Sequence, residues 1–197
     1  MGKIICLMGK SAVGKDSVFK RLLEDRSLGL RTIVPYTTRP IRDGEHNGVE
    51  YYFTDEVGYE KYKGQGRIIE ERLYHTVLGP WRYFTVDDGR IEAQADYIVI
   101  GTLEAYLRLR DYFGRGKVLP ILLEVDDGIR LQRALDRERV QEHPKYEELC
   151  RRFLADSEDF ARDNIAAAGI ERHFVNEDLE QCLEEIKDYI RGQSNGD

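Results

Sequence analysis

The sequence predicts an α/β fold in which a parallel β-sheet is covered on both faces by helices. Two patterns lead to this prediction. Short apolar runs alternate with helix-compatible stretches through most of the chain, and this alternation is typical of βα units. The exception is a segment rich in Gly, Tyr and charged residues, from about 35 to 95. Its short alternating pieces indicate a small β-rich subdomain inserted into the sheet core.

Each core strand is expected where a short apolar run is bounded by turn residues, and Gly9 ends the first run. The expected core strands are Ile4–Met8, Arg31–Val34, Tyr97–Ile100, Val118–Val125 and His173–Val175. The expected helices are Val18–Glu24, Leu103–Tyr112, Gly128–Arg139, Tyr146–Ala167 and Asp178–Ile190. Pro144 breaks the chain before the fourth helix. In the inserted segment, short antiparallel strands are expected at Val49–Phe53, Arg67–Tyr74 and Trp81–Val86.

The composition limits the classes of function. The 197 residues suffice for one globular domain, and 30 Lys and Arg against 37 Asp and Glu give a formal net charge of −7. This excess of acid argues against broad binding to nucleic acid or to anionic membranes. Because the sequence shows no signal peptide and no apolar run of membrane-spanning length, we expect a cytoplasmic protein. Its oligomeric state is expected to be a monomer or a homodimer. Cys6, Cys150 and Cys182 show no metal-binding spacing, so reduced thiols are expected.

The turn after the first strand has the pattern of a phosphate-binding loop. It reads Gly-x-x-x-x-Gly-Lys, with Gly9, Gly14 and Lys15 between a strand and a helix. In such loops the glycines let successive backbone N–H groups turn toward phosphate, and the lysine follows the terminal phosphates. The expected ATP-binding residues of the loop are Gly9, Lys10, Ser11, Ala12, Val13, Gly14, Lys15, Asp16 and Ser17. Asp16 stands where a Ser or Thr usually follows the lysine, and the nearest hydroxyl is on Ser17.

A second stretch, from Thr37 to Phe53, suggests a site for another phosphate. Arg39 and Arg42 are three residues apart, and Tyr51 follows nine residues after the second arginine. Guanidinium groups bind phosphate oxygens in pairs and a tyrosine hydroxyl donates to them. A charged surface loop would have a similar composition. Residues alone therefore leave both interpretations open.

This stretch resembles the substrate-phosphate signature of guanylate kinases, Thr-Thr-Arg-x-x-Arg-x-Gly-Glu-x-x-Gly-x-x-Tyr-x-Phe. With the loop at Gly9–Lys15, the resemblance extends over nearly the whole chain. It implies that Arg39, Arg42 and Tyr51 bind the phosphate of GMP and that Glu70 reads the guanine N1–H and amino group. Tyr83 and Thr85 resemble the family's Tyr-Gly-Ser/Thr element, which contacts the phosphate and guanine O6. Here Phe84 takes the place of the glycine.

The resemblance also implies residues that act on the transferring phosphoryl group. Arg133 and Arg137, four apart on one expected helix, and Arg152 resemble the family's lid arginines. With Lys15 and Arg39 they form the expected catalytic set, since convergent guanidinium groups stabilise the charge of the transferring group. Asn176 resembles the family's late Asn-Asp turn near the adenine. It is equally compatible with a turn or helix cap.

Two departures from the family pattern concern metal binding. The family carries acids at the end of its third core strand, but Ile98–Leu103 contains none before Glu104. The other departure is Asp16, because an acid beside a triphosphate is repulsive unless a cation lies between them. We therefore expect Mg²⁺ as cofactor, with Asp16 and Ser17 as candidate metal-directed residues. The alternative is that Asp16 favours a helix N-terminus, worth roughly 0.3–1 kcal/mol.

These expectations describe one guanylate kinase-like domain, 1–197. It has a P-loop kinase core at 1–34, 96–136 and 153–192, an acceptor-binding subdomain at about 35–95 and a helical lid at about 137–152. The expected activity is ATP-dependent phosphorylation of GMP to GDP by direct in-line transfer, within purine nucleotide metabolism. One alternative is a sugar-phosphate kinase, because the Gly-Lys-Asp-Ser loop is also similar to that of ribose 1,5-bisphosphate phosphokinases. Another is a non-catalytic guanylate kinase-like binding module, which usually lacks a competent phosphate loop.

Overall fold

The fold is known from a computed structural model, which describes residues 2–42, 44–76 and 79–194. Asp43, inside the predicted phosphate-binding signature, lies outside the described residues. The strands are β1 Ile4–Met8, β2 Arg31–Thr32, β3 Tyr36–Thr37, β4 Tyr52–Phe53, β5 Ile68–Thr76, β6 Gly79–Val86, β7 Tyr97–Ile100, β8 Val118–Glu124 and β9 His173–Val175. The helices are α1 Lys15–Glu24, α2 Glu56–Gly64, α3 Leu103–Phe113, α4 Asp127–Arg139, α5 Tyr146–Asp159, α6 Arg162–Ala167 and α7 Leu179–Ser194.

The central sheet contains five strands in the order β2-β7-β1-β8-β9, and all of its pairings are parallel. Its middle strand, β1, is buried along its whole length, as expected for a sheet covered on both faces. Cys6 and Met8 face a core with α3 and α6, whereas Ile5 and Leu7 face a core with α1 and α7. This arrangement confirms the predicted parallel α/β core.

A second sheet lies within the inserted segment, in the order β4-β3-β6-β5. Strands β5 and β6 form an antiparallel hairpin, and β3 pairs antiparallel with β6. The sheet has its own small aromatic core, in which Phe84 and Tyr59 are fully buried beside Tyr36. The predicted β-rich insertion is therefore present as a separate layer of strands.

Two predictions for the inserted segment were wrong in detail. The expected strand Val49–Phe53 is limited to β4, which pairs parallel, not antiparallel, with β3. The helix α2 was not predicted from the sequence. Its N-cap is Asp55, whose side chain accepts a hydrogen bond from the Gly58 N–H, and this arrangement stabilises a helix start.

The expected long helix Tyr146–Ala167 is divided into α5 and α6. Ala161 adopts an extended backbone (φ −62°, ψ 147°) before α6 begins. The Asn164 amide donates hydrogen bonds to the carbonyls of Glu158 and Asp159, at 3.0 and 3.4 Å. A side chain that satisfies the terminal carbonyls in this way gives the backbone an alternative to continuing the helix.

The three cysteines of the chain are unpaired in the structure. Cys6 and Cys182 are buried, Cys150 is exposed, and all three are free thiols, as expected. Desolvation raises the pKa of Cys6 to about 12, so this thiol is not a nucleophile at neutral pH. Of the helices in the described ranges, none has the length and apolarity that crossing a bilayer requires.

Candidate active site

The loop between β1 and α1 has the geometry that its glycines predict. Gly9 and Gly14 have φ values of 147° and 93°, a region that favours glycine. A Cβ atom on Gly9 would lie 2.4 Å from the Leu123 carbonyl oxygen, and one on Gly14 would lie 2.4 Å from Asn176 Nδ2. Close packing of backbone against β8 and the Asn176 amide therefore requires glycine at both positions.

Lys15 is the first residue of α1, and its side chain folds back across the loop. Its Nζ donates hydrogen bonds to the carbonyl oxygens of Gly9 (2.7 Å) and Lys10 (2.9 Å). Desolvation lowers the pKa of Lys15, an effect that the nearby carboxylates of Asp156 and Asp16 oppose and that Arg137 reinforces. The ammonium group therefore lies within the loop, where phosphates of a bound nucleotide would meet it.

The other predicted loop residues divide into buried and accessible positions. Val13 is buried, and Ala12 is the one non-glycine residue with a positive φ (64°) among the described residues. Lys10 Nζ lies 3.5 Å from the Asp127 carboxylate. Asp16 and Ser17 are exposed on the first turn of α1.

The Ser11 N–H is held by a carboxylate that the sequence analysis did not identify. Asp156 Oδ2, on α5, accepts a hydrogen bond from Ser11 N at 2.6 Å. The same oxygen lies 3.3 Å from Arg130 Nη1, whose side chain is completely buried. Arg130 also pairs with Asp127 and lies over the Phe153 ring, with 3.8 Å between its Cζ and the ring centroid. These contacts join the phosphate loop to both α4 and α5.

Asn176 links the loop to the helix that carries two of the predicted lid arginines. It is buried, and its Nδ2 donates to the Val13 carbonyl oxygen at 2.8 Å. Its own carbonyl oxygen accepts from Arg133 Nη1 at 3.1 Å. Asn176 thus has a clear structural role in supporting the loop, besides any contact with a nucleotide.

The three predicted lid arginines differ in position. Arg133 contacts Asn176, and Arg137 is exposed but close enough to Lys15 to lower its pKa. Arg152 is half-exposed, and its ion pair is with Glu148 on its own helix, at 3.6 Å. The structure therefore brings Arg133 and Arg137 toward the loop and leaves Arg152 on the surface of α5.

The predicted phosphate-binding arginine, Arg39, lies in a cage of aromatic and acidic groups. It is only 3% exposed. Its Nη1 and Nη2 donate to the two oxygens of Glu45, at 2.9 and 2.8 Å, and its Nε donates to the Tyr83 hydroxyl at 3.2 Å. Its Cζ lies 5.4 Å from the ring centroid of Tyr51 and 5.5 Å from that of Phe53. The guanidinium plane is therefore fixed on several sides.

Glu45 is the residue that holds this plane. Hydrogen bonds from Arg39 and from the Arg42 N–H lower its pKa from 4.5 to about 2. The Arg42 side chain itself is exposed. The structure thus brings Arg39, Tyr51 and Tyr83 together, while Arg42 lies at the edge of the cluster.

Glu70 and Thr85 form a second buried polar group, on the β5–β6 hairpin. They are 6% and 2% exposed, and Thr85 Oγ1 donates to Glu70 Oε1 at 2.7 Å. They face each other directly in the strand pairing. The predicted base-reading pair is therefore assembled, and Tyr83, two residues before Thr85, projects from the same face of the hairpin.

Four residues that matter to these clusters were not predicted. Glu45 lay within the recognised signature, so its spacing from Arg39 gave a signal that was not used. The others are Arg72, Arg130 and Asp156. Arg72 lies two residues after Glu70 in β5 and forms an ion pair with it, a proximity that was not used. For Arg130 and Asp156 the sequence shows only an arginine and an acid among many others, because the Asp156 contact joins residues 145 positions apart.

Two side chains beside the phosphate loop, those of Asp16 and Ser17, offer oxygen atoms to a divalent metal. Within the described ranges there is no cluster of three or more His, Cys, Asp or Glu residues that would hold a metal by itself. Mg²⁺ bound with a nucleotide typically takes one or two protein oxygens and completes its shell with phosphate and water. The exposed Asp16 carboxylate and Ser17 hydroxyl beside Lys15 fit that requirement.

Known proteins resemble this chain along its full length. A family model described as "Guanylate kinase" matches residues 1–78. The guanylate kinase of Symbiobacterium thermophilum is 27% identical over 194 residues, which cover 98% of this chain and 86% of the relative. The guanylate kinase of Mycobacterium tuberculosis is 28% identical over 211 residues, covering 100% and 90%. The crystal structure of guanylate kinase from Anaplasma phagocytophilum shares the fold, with a TM-score of 0.60, 22% identity and coverage of 98% and 86%.

A parallel sheet whose first strand runs through a glycine–lysine loop into a helix is the arrangement of P-loop nucleotide-binding proteins, which include the P-loop kinases. The protein is accordingly a nucleotide kinase, a phosphotransferase that binds ATP. Within that class, the family match and the full-length relatives agree. The chain is similar to guanylate kinases over nearly its whole length, and the guanylate kinase family model matches residues 1–78.

Proposed function

We propose that the protein phosphorylates GMP with ATP and releases GDP and ADP. One observation carries this proposal. Glu70, Thr85 and Tyr83 share one face of the β5–β6 hairpin, in a sheet separate from the phosphate loop, and Arg39 and Tyr51 contact Tyr83, so that the clusters Arg39–Tyr51–Tyr83 and Glu70–Thr85 adjoin. The first cluster suits a phosphate and the second suits a base with adjacent N–H donors. Full-length relatives named guanylate kinase support guanine as that base.

The donor would bind at the loop between β1 and α1. The backbone N–H groups from Gly9 to Ser17 and the Lys15 ammonium would hold the phosphates of ATP. Lys15, now bound to loop carbonyls, would transfer its N–H donors to phosphate oxygens. Asn176 would support the loop through Val13 and lie beside the nucleotide. Asp16 and Ser17 would hold Mg²⁺, which when bound neutralises phosphate charge and orients the terminal phosphate.

The acceptor would bind against the β5–β6 hairpin. Arg39, Arg42 and Tyr51 would hold its phosphate, and the Tyr83 hydroxyl, which accepts from Arg39, retains its own hydrogen to donate. Glu70 would accept from the guanine N1–H and amino group, because a carboxylate offers two adjacent acceptor oxygens. Thr85 would contact the guanine O6.

The reaction requires positioning and charge neutralisation, without a covalent intermediate. An oxygen of the GMP phosphate attacks the γ-phosphorus of ATP, and the bond to the β–γ bridging oxygen breaks, so that ADP leaves with that oxygen. Arg133, Arg137 and Arg152 would neutralise charge on the transferring group together with Lys15 and Arg39. Residues 137–152 would close as a lid, and residues 35–95 would move with the acceptor. Closure would exclude water and prevent hydrolysis of ATP.

An acceptor screen tests this function. ATP, magnesium and one acceptor at a time would be assayed by coupled detection of ADP, with GMP, dGMP, AMP, UMP and ribose 1,5-bisphosphate as acceptors. We expect the unchanged protein to have its highest kcat/KM with GMP. In the Glu70→Gln variant this kcat/KM should fall by at least about tenfold, because one acceptor oxygen becomes an amide donor. AMP and UMP, which lack the guanine donor pattern, should react poorly in both proteins.

The same screen separates the alternatives. Preferred turnover of ribose 1,5-bisphosphate would overturn the GMP assignment and favour the sugar-phosphate kinase, whose loop also reads Gly-Lys-Asp-Ser. Absence of ATP binding, measured by calorimetry, would favour a non-catalytic binding module. Gly9, Gly14 and Lys15 argue against that outcome, because each has the conformation or position that a phosphate loop requires.

A further inference from the structure

Arg72 lies on β5 next to both polar clusters, two residues from Glu70 and opposite Tyr83. In the strand pairing Glu70 is opposite Thr85, Arg72 is opposite Tyr83, and Tyr74 is opposite Trp81. Residues directly opposite each other in an antiparallel pair share a face, as do residues two apart on one strand. Arg72 therefore lies on the same face as the proposed base-reading residues and the proposed phosphate-binding tyrosine.

Arg72 interacts with both the proposed base-reading residues and the proposed phosphate-binding cluster. Its Nε lies 3.3 Å from Glu70 Oε2, and its side chain is 27% exposed while that of Glu70 is 5% exposed. Burial and the neighbouring Tyr83 raise the pKa of Tyr51, whereas Arg39 and Arg72 lower it. Arg72 is thus near the phosphate cluster as well as the carboxylate. It is the guanidinium nearest to Glu70 among the ion pairs of the described residues.

One N–H donor of Arg72 forms no hydrogen bond with the described protein. Its Nε is buried and has no hydrogen-bond partner within the described parts of the chain, because the contact with Glu70 lacks hydrogen-bond geometry. The side chain also lines an open cavity of about 600 Å³ together with Tyr74, Thr102 and Glu104. A buried donor without a partner costs free energy. A small movement of Glu70 upon ligand binding would satisfy it.

We infer that Arg72 is a positioning residue for Glu70 and thereby sets the selectivity of the acceptor site for the 2-amino group of guanine. This inference rests on the proposed function. Thr85 Oγ1 donates to one oxygen of Glu70, and the Arg72 guanidinium forms an ion pair with the other, at 3.3 Å. The carboxylate plane is then held so that its remaining lone pairs meet the N1–H and the amino group together. Arg72 also balances a carboxylate charge that is nearly excluded from water.

Comparison of GMP with IMP isolates this role, because IMP keeps N1–H and O6 but lacks the 2-amino group. In Arg72→Met we expect the KM for GMP to rise about tenfold, with kcat and the constants for IMP changed by less than about twofold. The ratio of kcat/KM for GMP over IMP should therefore fall about tenfold. Arg72→Lys keeps a charge without the planar group and should lower the ratio by about threefold.

A matched control is Arg82→Met, on the same hairpin. Arg82 directly precedes Tyr83 in β6, so its side chain lies on the opposite face of the hairpin. There it pairs with Glu56 and lies over Tyr59, away from Glu70. Its removal should leave the GMP/IMP ratio unchanged. Circular dichroism and thermal unfolding would establish that each variant is folded. If Arg72→Met does not fold, Arg72→Lys carries the test with its own expected ratio.

The outcomes distinguish this inference from the proposed function. Three results would overturn the positioning role: an unchanged GMP/IMP ratio in a folded Arg72 variant, an equal loss of kcat/KM for GMP and IMP, or an equal change of the ratio in Arg82→Met. In each case, GMP turnover by the unchanged protein would still support the proposed function. Failure of the unchanged protein to phosphorylate GMP would overturn both.

Discussion

Asp16 occupies the position at which phosphate loops usually carry a hydroxyl. It is exposed on the first turn of α1, and its charge acts on the Lys15 ammonium. Meanwhile the end of β7 carries no acid: it continues into Gly101 and Thr102, and the Thr102 side chain caps α3 by accepting from the Ala105 N–H. We propose a metal-directed role for Asp16, as a replacement for the acids that related kinases carry at this strand end.

Asp16→Asn tests this role. We expect the magnesium concentration for half-maximal turnover to rise about tenfold and the magnesium dependence of ATP affinity, measured by calorimetry, to weaken. Glu24→Gln, at the other end of α1, is the control, since Glu24 pairs with Lys20 across 3.9 Å on the surface. Identical magnesium titrations for Asp16→Asn and the unchanged protein would instead favour a simple helix N-terminal effect.

At the level of single residues, sequence patterns found the phosphate loop and most of the polar clusters. Gly9 and Gly14 have positive φ, as a glycine-rich turn requires, and Arg39 lies beside Tyr51. It was not predicted that Arg39 donates hydrogen bonds to Glu45 or that the Ser11 N–H donates to Asp156. Glu45 lies at a fixed spacing from Arg39 within the recognised signature and could have been found there, whereas the Asp156 contact depends on tertiary packing and no spacing rule distinguishes that acid among 37.

Among the elements, α4 and α5 are joined by a buried charge. Arg130 is completely buried, pairs with Asp127 on its own helix and Asp156 on α5, and covers the Phe153 ring. A buried guanidinium needs such partners because desolvation of its charge is costly. The arrangement fixes the helices that precede and follow the proposed lid. It also ties them to the phosphate loop through Ser11.

Removal of this charge should destabilise the protein. We expect Arg130→Met to lower the free energy of unfolding by about 2 kcal/mol, less than for a fully buried pair because the Asp127 and Asp156 carboxylates retain some exposure to water. Arg139→Met is a matched control on the same helix: Arg139 also pairs with an Asp three residues earlier, but both side chains are about 60% exposed. It should change stability by less than about 0.5 kcal/mol. Equal effects in urea unfolding would contradict the buried role.

The sequence predicted elements well where apolar periodicity was strong and poorly where local polar contacts decide the boundary. The expected strand His173–Val175 is β9 itself, and the expected helix Leu103–Tyr112 differs from α3 by one residue. The division of α5 from α6 depends on hydrogen bonds from Asn164 to α5 carbonyls. The helix α2 begins at the Asp55 cap within a segment otherwise typical of strands. In both cases a single side chain outweighed the average pattern.

For the whole molecule, the important feature is that the two proposed nucleotide sites belong to different sheets. The phosphate loop follows β1 of the parallel sheet, whereas Glu70 and Tyr83 lie on the hairpin of the second sheet. Alternation of strands and helices predicted the first sheet and the site at its edge. Strand order in the second sheet, including the parallel β3–β4 pair, depends on long-range pairing that local pattern does not encode.

If both sites face one cleft, a molecule that fills them together should bind far more tightly than either nucleotide. We expect an analogue that joins adenosine and guanosine 5′ to 5′ through five phosphates to have a Kd at least about 100-fold below that of ATP or GMP alone, because the second binding event becomes intramolecular. At concentrations well above Kd it should raise the thermal unfolding midpoint further than either nucleotide. The measurements are calorimetric titration and thermal unfolding, with Lys15→Met and Arg39→Met as variants that each weaken one end. An analogue that binds no better than ATP would show that the sites are not engaged together, and it would contradict direct in-line transfer between them.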